Sequence, residues 1–168
     1  MSFQIGDKVA HPMYGAGVLE SVVQKKVGGV VQEYYIMKLA KSSMIVMIPT
    51  QGSEEIGVRP VVDPDQADRV LAAIPSIQVE MTANWNRRYR ENMERLKSGD
   101  LLEVARVVKG LTLRDAKRSL STGERKMLHS ARQILISELV LSKSLSYETV
   151  EALSLIHISE PTRHAQIS

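Results

Sequence analysis

The change of pattern that decides the fold lies in residues 56–65, IGVRPVVDPD. Before this stretch, short β-rich runs alternate with glycine, proline and serine turns, and after it the apolar residues follow helical spacing. Asp63, Pro64 and Asp65 open the second half, because proline fits the first turn of a helix and acidic residues favour its positive end. The chain is therefore predicted to be an α+β protein.

The first half, residues 1–62, is predicted to be a small β-barrel. The predicted strands are Lys8–Ala10, Gly17–Val27, Val31–Leu39, Met44–Ile48 and Ile56–Val62. Gly28 and Gly29 supply the positive φ angles that a tight hairpin needs. About five strands this short can bury an apolar face only when the sheet curls, and this favours a small barrel.

The second half is predicted to be a short helix and linker over residues 63–81, followed by a helical bundle over residues 82–153. The predicted bundle helices run from Asn84 to Leu96, from Asp100 to Lys109, from Leu113 to Ser119, from Ser121 onward, and from Ser146 to Leu153. Gly110 is predicted to end the second of them. Residues 154–168 lose helical period and resemble translated sequencing-adapter sequence, so they are treated as a non-native tail.

The positive charge is concentrated in one part of the chain. Residues 82–133 hold thirteen basic and six acidic side chains, a net charge of +7, whereas the whole chain carries only +3. Residues 1–62 are close to neutral at +1. A polyanionic partner is predicted for the helical half, although a solvated basic face would have the same composition.

Trp85 is the only tryptophan, and it stands at a predicted helix start in the run TANWNRRYR, residues 82–90. Such a ring, followed by three arginines, is suited to enter a groove of DNA and unstack a base step while the arginines hold phosphates. The alternative is a core residue, since Trp85, Tyr89, Met93 and Leu96 recur at helical spacing.

The sequence carries no recognisable catalytic or metal-binding motif. It has no cysteine, and its four histidines stand apart from any ligand pattern. The N-terminus does not resemble a signal peptide, and no apolar run is long enough to span a membrane. We therefore expect a cytoplasmic, monomeric, non-enzymatic protein with no cofactor, no metal and no membrane contact.

A series of motifs resembles the CarD family of bacterial transcription regulators. The first is FxIGDxVxHPxxGxG over residues 3–17, which is also similar to the polymerase-interacting module of transcription-repair coupling factor. The others are EYY at 33–35, MIP at 47–49, GVR at 57–59, NWxRRY at 84–89, SGD at 98–100 and LSxGExxMLxxAR at 120–132. The motifs of the second half favour the CarD family over the repair factor.

The resemblance implies a Tudor-like (SH3-like) barrel that binds the RNA polymerase β subunit, and a helical domain that contacts promoter DNA. It implies that Trp85 wedges into the minor groove at the upstream fork of the transcription bubble. The matching basic residues are Arg87, Arg88, Arg90 and Arg125, and the matching polymerase contacts are Lys25, Met44, Ile45, Val46, Met47, Ile48 and Pro49. Some family members carry arginine where this chain has Met47, so that contact is predicted to be made by packing.

The residues and the resemblance together predict a regulator that bridges polymerase and DNA and stabilises the open complex. Its contacts with DNA are predicted to have little sequence specificity. A second hypothesis is a polymerase-binding adaptor whose basic helices dock another protein. A third, RNA binding by the barrel, is disfavoured because residues 1–62 are nearly neutral.

Overall fold

The computed structural model describes residues 3–79 and 82–159, with side chains described up to Leu153. An antiparallel sheet comes first and helices follow, as predicted for an α+β chain. The strands are β1 (Lys8–His11), β2 (Gly15–Val27), β3 (Val30–Leu39), β4 (Ile45–Pro49) and β5 (Arg59–Pro60). Their order in the sheet is β4-β3-β2-β1-β5.

The sheet is open in the described residues, because β4 and β5 lie at opposite edges and are not paired with each other. The predicted closure into a barrel is therefore not confirmed. The predicted last strand is also much shorter than expected. Residues 53–56 form a one-turn helix, α1 (Ser53–Ile56), flanked by Gly52 and Gly57 at left-handed φ angles of 85° and 107°, and this turn takes up the start of the predicted strand.

The β2–β3 hairpin is formed as predicted. Gly28 and Gly29 have φ angles of 58° and 83°, and Val27 faces Val30 across the turn. Positive φ at both central residues matches the right-handed twist of the flanking strands. Tyr35 and Met37, alternate residues of β3, are fully buried in the core of the sheet.

The helices are α2 (Pro64–Ala73), α3 (Trp85–Lys97), α4 (Leu101–Lys117), α5 (Thr122–Lys143) and α6 (Tyr147–Ser159), with a 3-10 turn over Ile74–Ser76. Asp63, Asn84, Asp100 and Ser121 each accept a backbone N–H at a helix start. Such N-caps satisfy donors that the first turn leaves free. The starts predicted at Asn84, Asp100 and Ser121 are therefore confirmed.

Two predicted helix ends are wrong. Helix α4 does not stop at Gly110 but continues to Lys117, so the predicted second and third bundle helices are one. Val104, Val107, Val108 and Leu111 are all buried along it, and their packing outweighs the roughly 1 kcal/mol that a glycine costs inside a helix. Helix α6 extends to Ser159, beyond the predicted end at Leu153. Pro161 and the rest of the tail lie outside the described residues.

Helix α5 packs directly on the sheet. The Ala16 N–H donates to Ser137 Oγ at 2.8 Å, and Lys8 Nζ donates to the Leu141 carbonyl at 3.1 Å. Gly15, at φ +91°, allows this approach, since a Cβ there would lie 2.7 Å from Ser137 Oγ. The sheet and the helices thus share a contact surface.

Within residues 3–79 and 82–159, no helix is long and apolar enough to cross a membrane. The same part of the chain contains no group of three or more histidine, aspartate or glutamate side chains placed to hold a metal ion.

Candidate nucleic-acid interface

Trp85 is the first residue of α3 and lies beside the start of α5. Its indole Nε1 donates to Ser121 Oγ at 2.9 Å, and Ser121 is the N-cap of α5. Its ring stacks on Tyr89, with centroids 5.2 Å apart and planes at 21°. Two helix N-termini, each with a partial positive charge, therefore meet at one aromatic ring.

The ring is not part of the core, because Trp85 keeps 43% of its surface exposed. The other members of the apolar stripe behave differently. Tyr89 and Met93 pack against the helical core, and Leu96 is buried in it. Helical spacing alone thus predicted the environment of three of the four residues, and Trp85 at the end of the stripe is the exception.

Three of the four predicted DNA-contacting arginines are exposed in the N-terminal turns of α3 and α5, the two helices whose starts meet at this ring. Arg87 and Arg90 lie in the first two turns of α3, and Arg125 lies in the first turn of α5. No acidic residue occupies the first turn of α3, so its positive end is not offset by a local carboxylate there. Arg87 makes an exposed ion pair with Glu91, at 3.2 Å and i,i+4 spacing, and pairs of this kind are weak.

Arg88 does not fit the predicted phosphate contact, because its side chain is only 3% exposed. Its Nε and Nη2 donate to the two carboxylate oxygens of Glu124 at 2.8 and 3.1 Å. Its Nη1 donates to the carbonyls of Thr82 and Ala83 at 3.1 Å each. A guanidinium with these partners supports the structure around Trp85 instead of facing a ligand.

Ser121 and Glu124 also belong to this site, although the sequence indicated them only as a helix start and as part of the motif at 120–132, and not as neighbours of Trp85. They read as a capping box, and the cap bond from Glu124 N–H to Ser121 Oγ is present at 3.2 Å. The Glu124 carboxylate, however, faces Arg88. These hydrogen bonds from Arg88 hold the pKa of Glu124 below its ordinary value, although burial acts in the opposite direction. No local signal reveals this pair, because its members are 36 residues apart.

Six of the seven predicted polymerase contacts, residues 44–49, lie at one edge of the sheet, and they are unequally accessible. Strand β4 is an edge strand, Ile45 and Met47 are exposed along it, and Met44 is exposed just before it. Ile48 is buried in the sheet core and Val46 packs against that core. The prediction that Ile48 contacts a partner is therefore not supported by its position.

The two remaining predicted polymerase contacts lie at different places on the sheet. Pro49, partly buried, ends β4 opposite Tyr34 of β3. Lys25 is exposed on β2, which β3 separates from β4. The structure therefore gathers the exposed residues of β4 into one short edge, with Lys25 two strands away.

Comparison with known proteins gives matches to both halves of the chain. A family model described as "CarD-like/TRCF RID domain" matches residues 3–62, and one described as "CarD, C-terminal domain" matches residues 69–154. A Bacillus subtilis (strain 168) protein named "Putative transcription factor YdeB" is 33% identical over 150 residues. That alignment covers 89% of this chain and 98% of that protein.

Proposed function

The chain belongs to the CarD family, a class of non-enzymatic transcription regulators, and from this premise we propose that it bridges the RNA polymerase β subunit and promoter DNA. In this proposal residues 1–62 bind polymerase and residues 82–153 contact DNA at the upstream fork of the bubble. The result is a longer-lived open complex during initiation. A cytoplasmic location and a monomeric state belong to the same proposal.

The observation that carries the DNA half is the exposed ring of Trp85 among exposed arginines at two helix N-termini. Arg87, Arg90 and Arg125 offer charge to phosphates without reading base edges. A flat apolar ring can enter the minor groove and stack against an opened base step. Arg88 is assigned a supporting role, since four of its five N–H donors already have partners within the protein.

The proposed mechanism is a difference in affinity between two states of the promoter. The arginines contact phosphates in closed and melted DNA alike, whereas the ring gains its full contact only where a base step has opened. A ligand shifts an equilibrium only by its differential affinity for the two states. Trp85 would therefore supply the preference for melted DNA, and the arginines would supply overall affinity.

The polymerase half rests on strand β4. An edge strand presents unpaired backbone groups that another strand can join, and exposed side chains on alternate positions give such a contact specificity. Ile45 and Met47 are exposed alternate residues of β4, and Met44 is exposed just before it. We assign these three residues to the β-subunit contact, and the buried Ile48 to the sheet core.

The DNA half is tested by salt dependence of binding to a forked duplex. Arg90→Glu and Arg125→Glu should each weaken binding to unrelated sequences and reduce the slope of log K against log salt by about 0.9 for each lost phosphate contact. Arg69→Glu, an exposed charge reversal on α2, is the matched control. Equal slopes in all variants would favour the adaptor hypothesis, in which the basic helices dock a protein.

The polymerase half is tested by pull-down with a purified β-subunit lobe fragment. Met47→Glu should abolish capture and leave binding to forked DNA unchanged, because a charge on the edge strand disrupts apolar packing there. Leu113→Glu is the matched control, since Leu113 and Met47 are both 36% exposed and Leu113 lies on α4. Undiminished capture of Met47→Glu would place the contact elsewhere.

A further inference from the structure

We infer that Ser121, Glu124 and Arg88 form a positioning network that fixes the indole of Trp85 in the orientation needed at the fork. The inference deepens the proposed function and rests on it. None of the three residues needs to touch DNA. They act on the ring through a continuous path of hydrogen bonds from Trp85 to Ser121, from Ser121 to Glu124, and from Glu124 to Arg88.

The Ser121 hydroxyl uses its full hydrogen-bonding capacity. It accepts the indole N–H of Trp85 at 2.9 Å and the backbone N–H of Glu124 at 3.2 Å. It donates its own proton to Glu124 Oε1 at 3.3 Å. A hydroxyl has one donor and two acceptor sites, so no alternative rotation satisfies all three partners. The acceptor for the indole is therefore held in one direction.

Arg88 connects this hydroxyl to the chain that enters α3. Its guanidinium binds Glu124 at two points and also binds the carbonyls of Thr82 and Ala83, just before the Asn84 N-cap. The ion pair is almost fully buried, and it joins the start of α3 to the start of α5. Displacing either helix start would break several of these bonds, so the network holds the starts of α3 and α5 in a fixed position around Trp85.

The network holds the Nε1 edge of the Trp85 ring, and two neighbouring groups restrict the movement of the remainder of the ring. Tyr89 stacks on one face. A Cβ built at Gly123 would lie 3.6 Å from Cζ2 of Trp85, an ordinary contact distance, so the α5 backbone runs close beside the ring. The remaining exposed surface is presented in one orientation. A side chain ordered in advance loses less entropy on binding, which favours insertion into opened DNA.

The test uses the full chain, and fluorescence reports on Trp85 alone because it is the only tryptophan. Ser121→Gly removes the hydroxyl and keeps a residue that is nearly as good an N-cap. Ser146→Gly is the matched control, since Ser146 Oγ accepts Thr149 N–H at 3.2 Å at the start of α6. We expect Ser121→Gly, and not the control, to increase the fast component of time-resolved Trp85 anisotropy.

Binding to forked DNA is measured on the same variants. Ser121→Gly should weaken it about three- to tenfold, the loss that one net hydrogen bond corresponds to, with intact-duplex binding unchanged. Ser121→Thr, which restores the hydroxyl, should recover both properties. Unchanged anisotropy in Ser121→Gly, or increased mobility with undiminished fork binding, would overturn the inference. Trp85→Ala distinguishes failure of the positioning network from failure of the proposed function. Full binding of this variant to forked DNA would overturn the proposed function itself.

Discussion

Arg59 on β5 and Glu138 in the second half of α5 form a two-point ion pair between the sheet and the helices. Arg59 Nη1 and Nη2 lie 2.6 and 2.7 Å from the two carboxylate oxygens. The Val62 N–H donates to the same carboxylate at 3.0 Å, and Glu138 is fully buried. Because the N-cap of α5, Ser121, lies beside Trp85, one helix connects the proposed DNA surface with the sheet that carries the proposed polymerase surface.

Arg59→Met is expected to destabilise the protein by about 3–5 kcal/mol, because it leaves a buried carboxylate without its cation. Arg59→Met with Glu138→Leu should cost less than the sum of the two single changes, which is the mark of a direct interaction. Urea unfolding measures both. Lys143→Met, which removes an ion pair with the exposed Asp68, is the control and should change stability little. Strict additivity of the two core changes would show that the pair is not coupled.

Arg87 and Arg88 are adjacent in sequence, and substitution should separate their roles. Arg88→Met should cost about 3–5 kcal/mol of stability, since Glu124 stays buried and unpaired. Arg87→Met should cost at most about 0.5 kcal/mol, because its pair with Glu91 is exposed, and should instead weaken DNA binding. Urea unfolding measures the change in stability of each variant, and titration of a forked duplex measures its DNA binding. A stable Arg88→Met with poor DNA binding would restore the phosphate contact that the sequence predicted.

The parts of the fold that the sequence predicted are those set by local chemistry. Helix starts at Asn84 and Ser121 follow from side-chain caps, and the β2–β3 turn follows from Gly28 and Gly29. The position of Trp85 in the first turn of a helix followed in the same way. In each case the deciding interaction spans only a few residues, so a short window of sequence contains it.

The parts that the sequence did not predict depend on distant partners. Arg88 looked like its neighbours Arg87 and Arg90, and only the approach of Glu124 makes it a buried residue. Gly110 looked like a helix end, and only burial along α4 carries the helix through it. The contact of Gly15 and Ala16 with Ser137 joins residues more than a hundred positions apart. Such contacts leave no periodic signal.

His11 should make stability depend on pH. It is buried, its Nδ1 accepts the Met13 N–H at 3.0 Å, and burial lowers its pKa from the ordinary 6.5. The unfolded chain therefore takes up a proton first as pH falls. The contribution of the neutral ring is complete above about pH 6.5 and is lost as pH falls toward the folded pKa.

His11→Asn removes this titration and keeps an oxygen that can accept the Met13 N–H. Urea unfolding at about pH 7.5 and about pH 5.5 should show a larger loss of stability for the unmodified chain than for this variant. Equal losses for the two proteins would mean that other groups cause the acid sensitivity.

Trp85→Ala should separate the hold on melted DNA from folding. The ring is half-exposed, so its loss removes a stacking contact with Tyr89 and one hydrogen bond to Ser121. The expected cost is about 1–2 kcal/mol, below the roughly 3–5 kcal/mol for truncating a buried aromatic residue.

Capture of Trp85→Ala by the β-subunit fragment should be unchanged, because the proposed polymerase contact on β4 does not include Trp85. Open complexes should decay faster, because the ring no longer contacts the opened base step. Trp85→Phe and Trp85→Tyr should retain part of the open-complex lifetime, since each keeps a flat ring of smaller area. Thermal melting and open-complex lifetime are measured on the same preparation. A collapse of the melting temperature to the level of Arg88→Met would make Trp85 a structural residue, and an unchanged lifetime in a well-folded variant would remove the wedge from the mechanism.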